Sequence, residues 1–189
     1  TPWTIPSPGA MLITGFKPDD LKNAKFSHYA MMRDLVNWMQ SQHWPVTFVG
    51  YNSLHFDEPA LERNLAINLL PSGITTAASP HNSGRNIRFD VFPLVKLVAH
   101  YYPGALKLEV LNDYGKPSMS LMNVAQQNGV ALAADEAHDA MNDIRATIGV
   151  AKLLHAISPQ LWQHMHDNMT SPAAVARYMA ATPVMAYTD

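Results

Sequence analysis

The sequence predicts an α/β domain in which helix dominates, on three observations. Val46-Thr47-Phe48-Val49-Gly50-Tyr51 is a continuous, partly β-branched apolar run of strand length, of the kind that lies in a sheet covered on both faces. On either side of it, apolar residues recur at spacings of three and four, the period of an amphipathic helix. The resulting helix-strand-helix order is that of α/β domains. No other segment is as strongly strand-like, so most of the chain is expected to be helical.

Composition sets the outer limits. At 189 residues, with 48% hydrophobic and 15% charged residues and a formal net charge of −2, the chain suits one globular domain, taken as residues 1–180 with a tail over 181–189. There is no general basic field for wrapping nucleic acid, so any such contact must be local. With no cysteine, neither a disulfide framework nor a thiolate metal site is available, and a cytoplasmic setting is the simple expectation. No apolar run is long enough to cross a bilayer, and no membrane partner is expected. The opening Thr1-Pro2-Trp3-Thr4-Ile5-Pro6-Ser7-Pro8-Gly9 has no initiator Met and no signal-peptide core, and reads as an extended lead-in from within a longer protein.

The elements follow in order. Ala10 to Phe16 is a short apolar turn or helix ended at Gly15, and Lys17-Pro18-Asp19-Asp20 opens the next segment. From Ser27, an N-cap, a helix runs to about Gln42 with Tyr29, Met32, Leu35, Val36 and Met39 inward, stopped by Pro45. After the strand, a helix spans about Glu58 to Leu69, with Pro59 in its first turn and Leu61, Leu65 and Leu69 on its apolar face. Pro71 to Asn86 is a long loop rich in Ser, Thr, Gly and Pro, on the substrate side or a tolerated insertion. Phe89 to Tyr102 reads as helix, with Phe92, Val95, Leu97, Val98 and Tyr101 inward and Lys96 on the other side. Asn112 to Pro117 is a turn; Ser118 or Ser120 then caps a helix closed by Asn128-Gly129. Ser158-Pro159 and Ser171-Pro172 each start a further helix. The methionines, including Met31, Met32, Met119, Met122 and Met141, and Trp38, Trp44 and Trp162 read as packing.

The stretch Ala134-Asp135-Glu136-Ala137-His138-Asp139-Ala140-Met141-Asn142-Asp143 leads into a helix whose apolar residues are Ile144, Ile148, Ala151 and Leu154. Asp143 falls in its first turns and His138 at or just before its start. Carboxylates there also complement the helix dipole, with no further role. A second acid, Asp57, follows the strand after Gly50-Tyr51-Asn52, and a strand end and a helix start can bring Asp57 and Asp143 together. A His-based metal hydrolase using His155, His164 and His166 competes poorly. Histidines two positions apart on a helix diverge, and no His-Glu-x-x-His pattern occurs.

With Asp57 after Gly50-Tyr51-Asn52, and His138 five residues before Asp143, the chain resembles the bacterial exodeoxyribonuclease I family, of the DEDDh branch of RNase H-like exonucleases. Pro8-Gly9-Ala10-Met11-Leu12-Ile13-Thr14-Gly15, Arg88-Phe89-Asp90 and Ala137 through Leu153 carry the likeness, which spans most of residues 6 to 155. The resemblance implies an RNase H-like mixed α/β exonuclease domain. It also implies removal of nucleotides from the 3′ end of single-stranded DNA as 5′-monophosphates, with two magnesium or manganese ions. By the same resemblance Asp57 and Asp143 are metal ligands and His138 is the general base. Asn52, Phe56 and Lys96 face the DNA, and a single-stranded DNA-binding protein is a partner of the full-length parent. Lys96 could equally belong to a solvated helix face, and Phe56, Tyr101 and Tyr102 are the candidate base-stacking platforms.

Departures from the family qualify this. Its first motif, an Asp-x-Glu on a first strand, has no counterpart in these 189 residues, and Asp19-Asp20 has no buried strand in front of it. The domain is therefore expected to be incomplete at its N-terminus and, as it stands, weakly active or inactive. Ser120 stands where the family often has an arginine. The alternative reading is a non-catalytic helical remnant serving as a binding module; the coding sequence upstream of Thr1 separates the two.

Overall fold

The computed structural model describes residues 7–15, 17–79, 84–130, 140–170 and 172–181. Two short helices come first, α1 (Pro8–Thr14) and α2 (Pro18–Lys22). Gly15 follows α1 at φ +71°, a left-handed conformation that favours glycine. Helix α3 (His28–Gln40) starts where the Ser27 side chain accepts the N–H of Ala30, as the sequence predicts. It ends at Gln40, with the Ser41 N–H returned to Asn37 and Trp38 carbonyls.

Strand β1 (Thr47–Gly50) pairs in parallel with β2 (Ile87–Asp90), in a register that sets Thr47 beside Ile87 and Gly50 beside Asp90. Two expectations change here. Ile87–Asp90 is a strand, and the helix expected from Phe89 begins only at Val91. In addition, β1 is not covered on both faces: Val49 is 48% exposed, and β2 is the only strand beside β1 among the described residues.

Helix α4 (Asp57–Ile67) follows β1 and α5 (Val91–Tyr101) follows β2 directly. Leu65 is fully buried in α4, but Leu69 lies beyond the helix at φ +55° and is exposed, its place in the core taken by Leu70. The segment between Ile67 and β2 is anchored where described: Ile74–Thr76 forms a 3-10 turn with Ile74 and Thr75 buried. The buried Asn86 side chain accepts the Val46 N–H at 2.9 Å and donates to the Ile74 carbonyl at 3.0 Å. On α5 the core residues are Val91, Leu94, Val95 and Val98; Tyr101, expected inward, is the last residue of the helix and is half exposed.

After the turn at Asn112–Pro117, α6 (Leu121–Gln127) is capped by Ser120, whose hydroxyl accepts the Asn123 N–H. Helices α7 (Ala140–Ile157), α8 (Pro159–Met169) and α9 (Pro172–Ala181) complete the described chain. Helix α7 packs against α5, α6 and α8. Its buried ladder is Asn142, Ala146, Val150 and Leu154, at intervals of four. Ile144 and Ile148, expected inward, are instead half exposed alongside Met141. Trp38 and Met31, expected as packing, also face solvent.

Two apolar clusters hold the molecule together. The larger joins Phe89 and the α5 residues to Val124, Ala125, Ala146, Val150, Leu154 and Met165. Trp162 meets Phe89 edge-on at 4.6 Å between ring centroids. The smaller joins Met32, Val36 and Met39 of α3 to Leu65 and Ile74. Among the described residues no helix is long and apolar enough to cross a membrane.

Candidate functional site

Parallel strands deliver their following loops to the same end of a sheet, which is where α/β domains place ligand sites. Here that end is marked by Gly50 and Asp90, side by side. Asp90 is buried and its carboxylate does three things. It caps α5 by accepting the Phe92 N–H at 3.0 Å, and it accepts the N–H groups of Asn52 at 2.7 Å and Leu54 at 3.3 Å. The cap is local, whereas the other two bonds cross from β2 to the loop after β1. Asp90 thus fixes the loop that leads to Asp57. Within that loop Asn52 takes φ +55°, which asparagine tolerates better than most residues.

Tyr51 completes the clamp. Its hydroxyl donates to the Met119 carbonyl, tying the end of β1 to the segment before α6, and its ring lies 5.4 Å from that of Phe92. Burial, and secondarily the charge of Asp90, pushes the Tyr51 phenol well above its ordinary range, so it stays a donor. Beside these rings opens a groove of about 1000 Å³. It is lined by Phe92, Lys96 and His100 of α5 and by Lys116, Ser118 and Ser120 of the segment before α6. The Lys96 ammonium sits 4.9 Å from the Phe92 ring centroid.

The structure brings some of the expected site residues together. Asn52 and Lys96 line this one groove. Asp57 starts α4 and Asp143 lies in the first turn of α7; both are exposed, and neither has a hydrogen bond or ion pair among the described residues. Phe56 precedes α4 and is 73% exposed, outside the groove lining. His138 lies outside the described residues. Among those that are described, no three His, Asp or Glu side chains gather closely enough to share a metal ion, His155, His164 and His166 included. Of the stacking candidates, Tyr101 and Tyr102 are partly exposed, and the Tyr102 hydroxyl is engaged with Ser158.

Sequence reasoning missed Asp90, Tyr51, Phe92 and Lys116 as site residues. An acid immediately before an apolar helix was a legible N-cap signal for Asp90. Nothing in the sequence linked it to Asn52, 38 positions away.

As a donor set, Asp57 and Asp143 offer carboxylate oxygens that no neighbouring group among the described residues occupies, which suits a hard divalent cation. Two such side chains provide part of a ligand shell. The buried acid beside Asp57 is already engaged: Glu58 accepts the Thr75 hydroxyl at 2.7 Å and lies 3.7 Å from Arg88.

No protein-family model matches the chain. By sequence it is similar to exodeoxyribonuclease I of Escherichia coli (strain K12), 30% identical over 162 residues, 85% of this chain and 32% of that protein. It is also similar to exodeoxyribonuclease I of Haemophilus influenzae, 25% identical over 167 residues, 87% of this chain and 33% of that protein. By structure it resembles E. coli exonuclease I in complex with a dA16 oligonucleotide, with a TM-score of 0.78, 24% identity, and 97% of this chain and 36% of that one covered. An exonuclease I from Methylocaldum szegediense matches with a TM-score of 0.69, 26% identity, and 87% and 33% covered. The chain thus spans about a third of the length of these relatives. The fold is RNase H-like, rich in helix with a small parallel sheet.

Proposed function

Since this chain is related in sequence and fold to the exodeoxyribonuclease I family, about a third of whose length it spans, we propose that it is the strand-holding part of a metal-dependent 3′ to 5′ exonuclease domain acting on single-stranded DNA. The observation that carries this is the parallel strand pair with its clamped loop. It puts Asn52, the Tyr51–Phe92 ring pair and Lys96 along one groove at the carboxyl end of the sheet. A groove with an ammonium group and aromatic rings suits a flexible single strand, whose phosphates and bases it can meet together.

In this reading Asp57 and Asp143 would hold divalent cations, magnesium or manganese, and His138 would take the proton from the attacking water. When bound, such ions generate the nucleophile and stabilise the leaving oxygen. Residues of this chain do the rest. Asp90 holds the loop that carries Asn52 toward Asp57, Lys96 attracts a phosphate, and Tyr51 keeps the far wall attached. The domain extends to about residue 180.

With two of the family's four carboxylates, the chain by itself should hydrolyse DNA weakly or not at all. That leaves strand binding as its main measurable property, in accord with the reading of a non-catalytic binding module. The test pairs two assays on this chain: anisotropy of a labelled single strand and of a blunt duplex, and trimming of a 3′-labelled single strand with Mg²⁺ or Mn²⁺. Preferential binding of the single strand with little trimming is expected. No preference for the single strand would overturn the proposed role. Rapid Mg²⁺-dependent trimming abolished by Asp143→Ala would overturn the weak-activity part.

A further inference from the structure

The groove that Lys96 lines carries a second cation, Lys116, and its mounting is rigid. Lys116 closes the turn at residues 112–117. The Asn112 side chain accepts the N–H groups of Tyr114 and Lys116, each at 3.0 Å, and the Asn112 N–H donates to the Lys116 carbonyl at 2.8 Å. Gly115 makes the turn possible with φ +70°, and Leu111 and Pro117 pair across its base. The segment leading in is braced against the end of α6. Asn128 accepts the Lys107 N–H at 2.9 Å and donates to the Lys107 carbonyl at 3.0 Å, and Gln127 accepts the Val110 N–H at 3.1 Å. A surface lysine is ordinarily a mobile, solvated charge; this one projects from a backbone fixed at both ends.

Charge and chemistry agree with the mounting. Lys96 and Lys116 both line the groove, and neither has a carboxylate partner among the described residues. In a chain of net charge −2, two ammonium groups without carboxylate partners lining one groove make a local anion-attracting channel. Ser118 and Ser120 lie beyond Lys116 on the same wall, and each already accepts a hydrogen bond from Asn123, through its side-chain amide and its backbone N–H respectively. Among the described residues each accepts only one bond, and its O–H group remains to donate, which again suits phosphate oxygens.

Resting on the proposed single-strand role, we propose that Lys116 is a phosphate-contacting residue of the groove, gripping the backbone of the strand from the segment before α6 as Lys96 does from α5. The sugar-phosphate chain meets both ammonium groups in the groove that Tyr51, Phe92 and Asn52 also line.

The test is the salt dependence of binding to a fluorescein-labelled dT16 probe in EDTA, for the unaltered chain and for Lys96→Ala, Lys116→Ala, Lys116→Arg and Lys22→Ala. Each lost phosphate contact to a single strand lowers the slope of log K against log salt by about 0.7, or about five-fold in affinity near 0.1 M salt. Lys96→Ala and Lys116→Ala should each show that loss, and Lys116→Arg should recover it. Lys22→Ala, on the exposed surface of α2, should bind as the unaltered chain does. Lys116 is exposed, so thermal melting of its variants should be unchanged. If the unaltered chain binds the probe and Lys116→Ala keeps its full slope and affinity, the assignment of Lys116 is wrong while the strand-binding role stands. If the unaltered chain does not bind the probe at all, that role is wrong and the assignment falls with it.

Discussion

Removing the Asp90 carboxylate should cost far more than removing its charge. Its Oδ1 accepts two N–H groups, those of Asn52 and Phe92, and its Oδ2 accepts the longer bond from Leu54. An N-cap bond such as that to Phe92 contributes about 1 kcal/mol. A bond to a charged acceptor contributes about 1.5–3 kcal/mol when buried. Asn52 and Leu54 lie on a partly exposed loop, so water can take up their freed N–H groups, and the two together are better counted as about 2 kcal/mol. Asp90→Ala should therefore lose about 3 kcal/mol, which for a domain of this size is a fall in Tm of roughly 6–12 °C. Asp90→Asn keeps an oxygen where the two shorter bonds converge and loses only charge assistance and the 3.3 Å bond, for about 1 kcal/mol. Urea unfolding followed by circular dichroism measures both, with the slope m expected to stay constant. If Asp90→Ala falls within about 0.5 kcal/mol of the parent, or if Asn is as damaging as Ala, the clamp is not what holds the loop after β1.

Other expectations concern the neighbours of that clamp and the packing behind it. Tyr51→Phe removes the donor to the Met119 carbonyl and should cost about 1 kcal/mol at neutral pH. Because the folded-state pKa of Tyr51 is raised, its contribution is complete below about pH 10 and is lost as pH rises through the folded value. Stability measured at pH 8 and pH 11 should thus fall less in Tyr51→Phe than in the parent, and an equal fall would contradict the assignment. Gly149 of α7 lies against Val130, whose side chain a Cβ there would overlap. Helix propensity would favour Ala by about 1 kcal/mol, but overpacking costs about 1–3 kcal/mol. Gly149→Ala should be destabilising by thermal melting, and a raised Tm would show that the α7 contact is loose.

Much of this architecture is written locally in the sequence. Ser27, Ser120 and Ser158 each cap the helix that follows, and the Asn112 turn forms where Asn, Asp and Gly are clustered. What local pattern could not supply was anything decided by partners distant in sequence. Ile87–Asp90 runs directly into α5; the Asp90 cap and Pro93 mark where that helix begins, but only pairing with β1 makes the four residues up to Asp90 a strand. On α7 apolar residues surround the helix, and spacing could not choose between Ile144 and Ile148 on one side and Ala146 and Val150 on the other. Contact with α5 and α6 chose the latter. At the site, Asp57 and Asp143 stood out by their position in a motif, whereas Asp90 and Lys116 owe their roles to bonds and walls formed by other segments.

In the proposed function, Asp57 after β1 and Asp143 opening α7 serve one divalent-cation site. Paramagnetic broadening by Mn²⁺, read on the assigned amide spectrum of this chain, addresses it directly. Substoichiometric Mn²⁺ should broaden residues around Asp57 and around Asp143 together, and Asp57→Ala should relieve the broadening at both. Broadening of one set alone, or of neither at millimolar Mn²⁺, would contradict it.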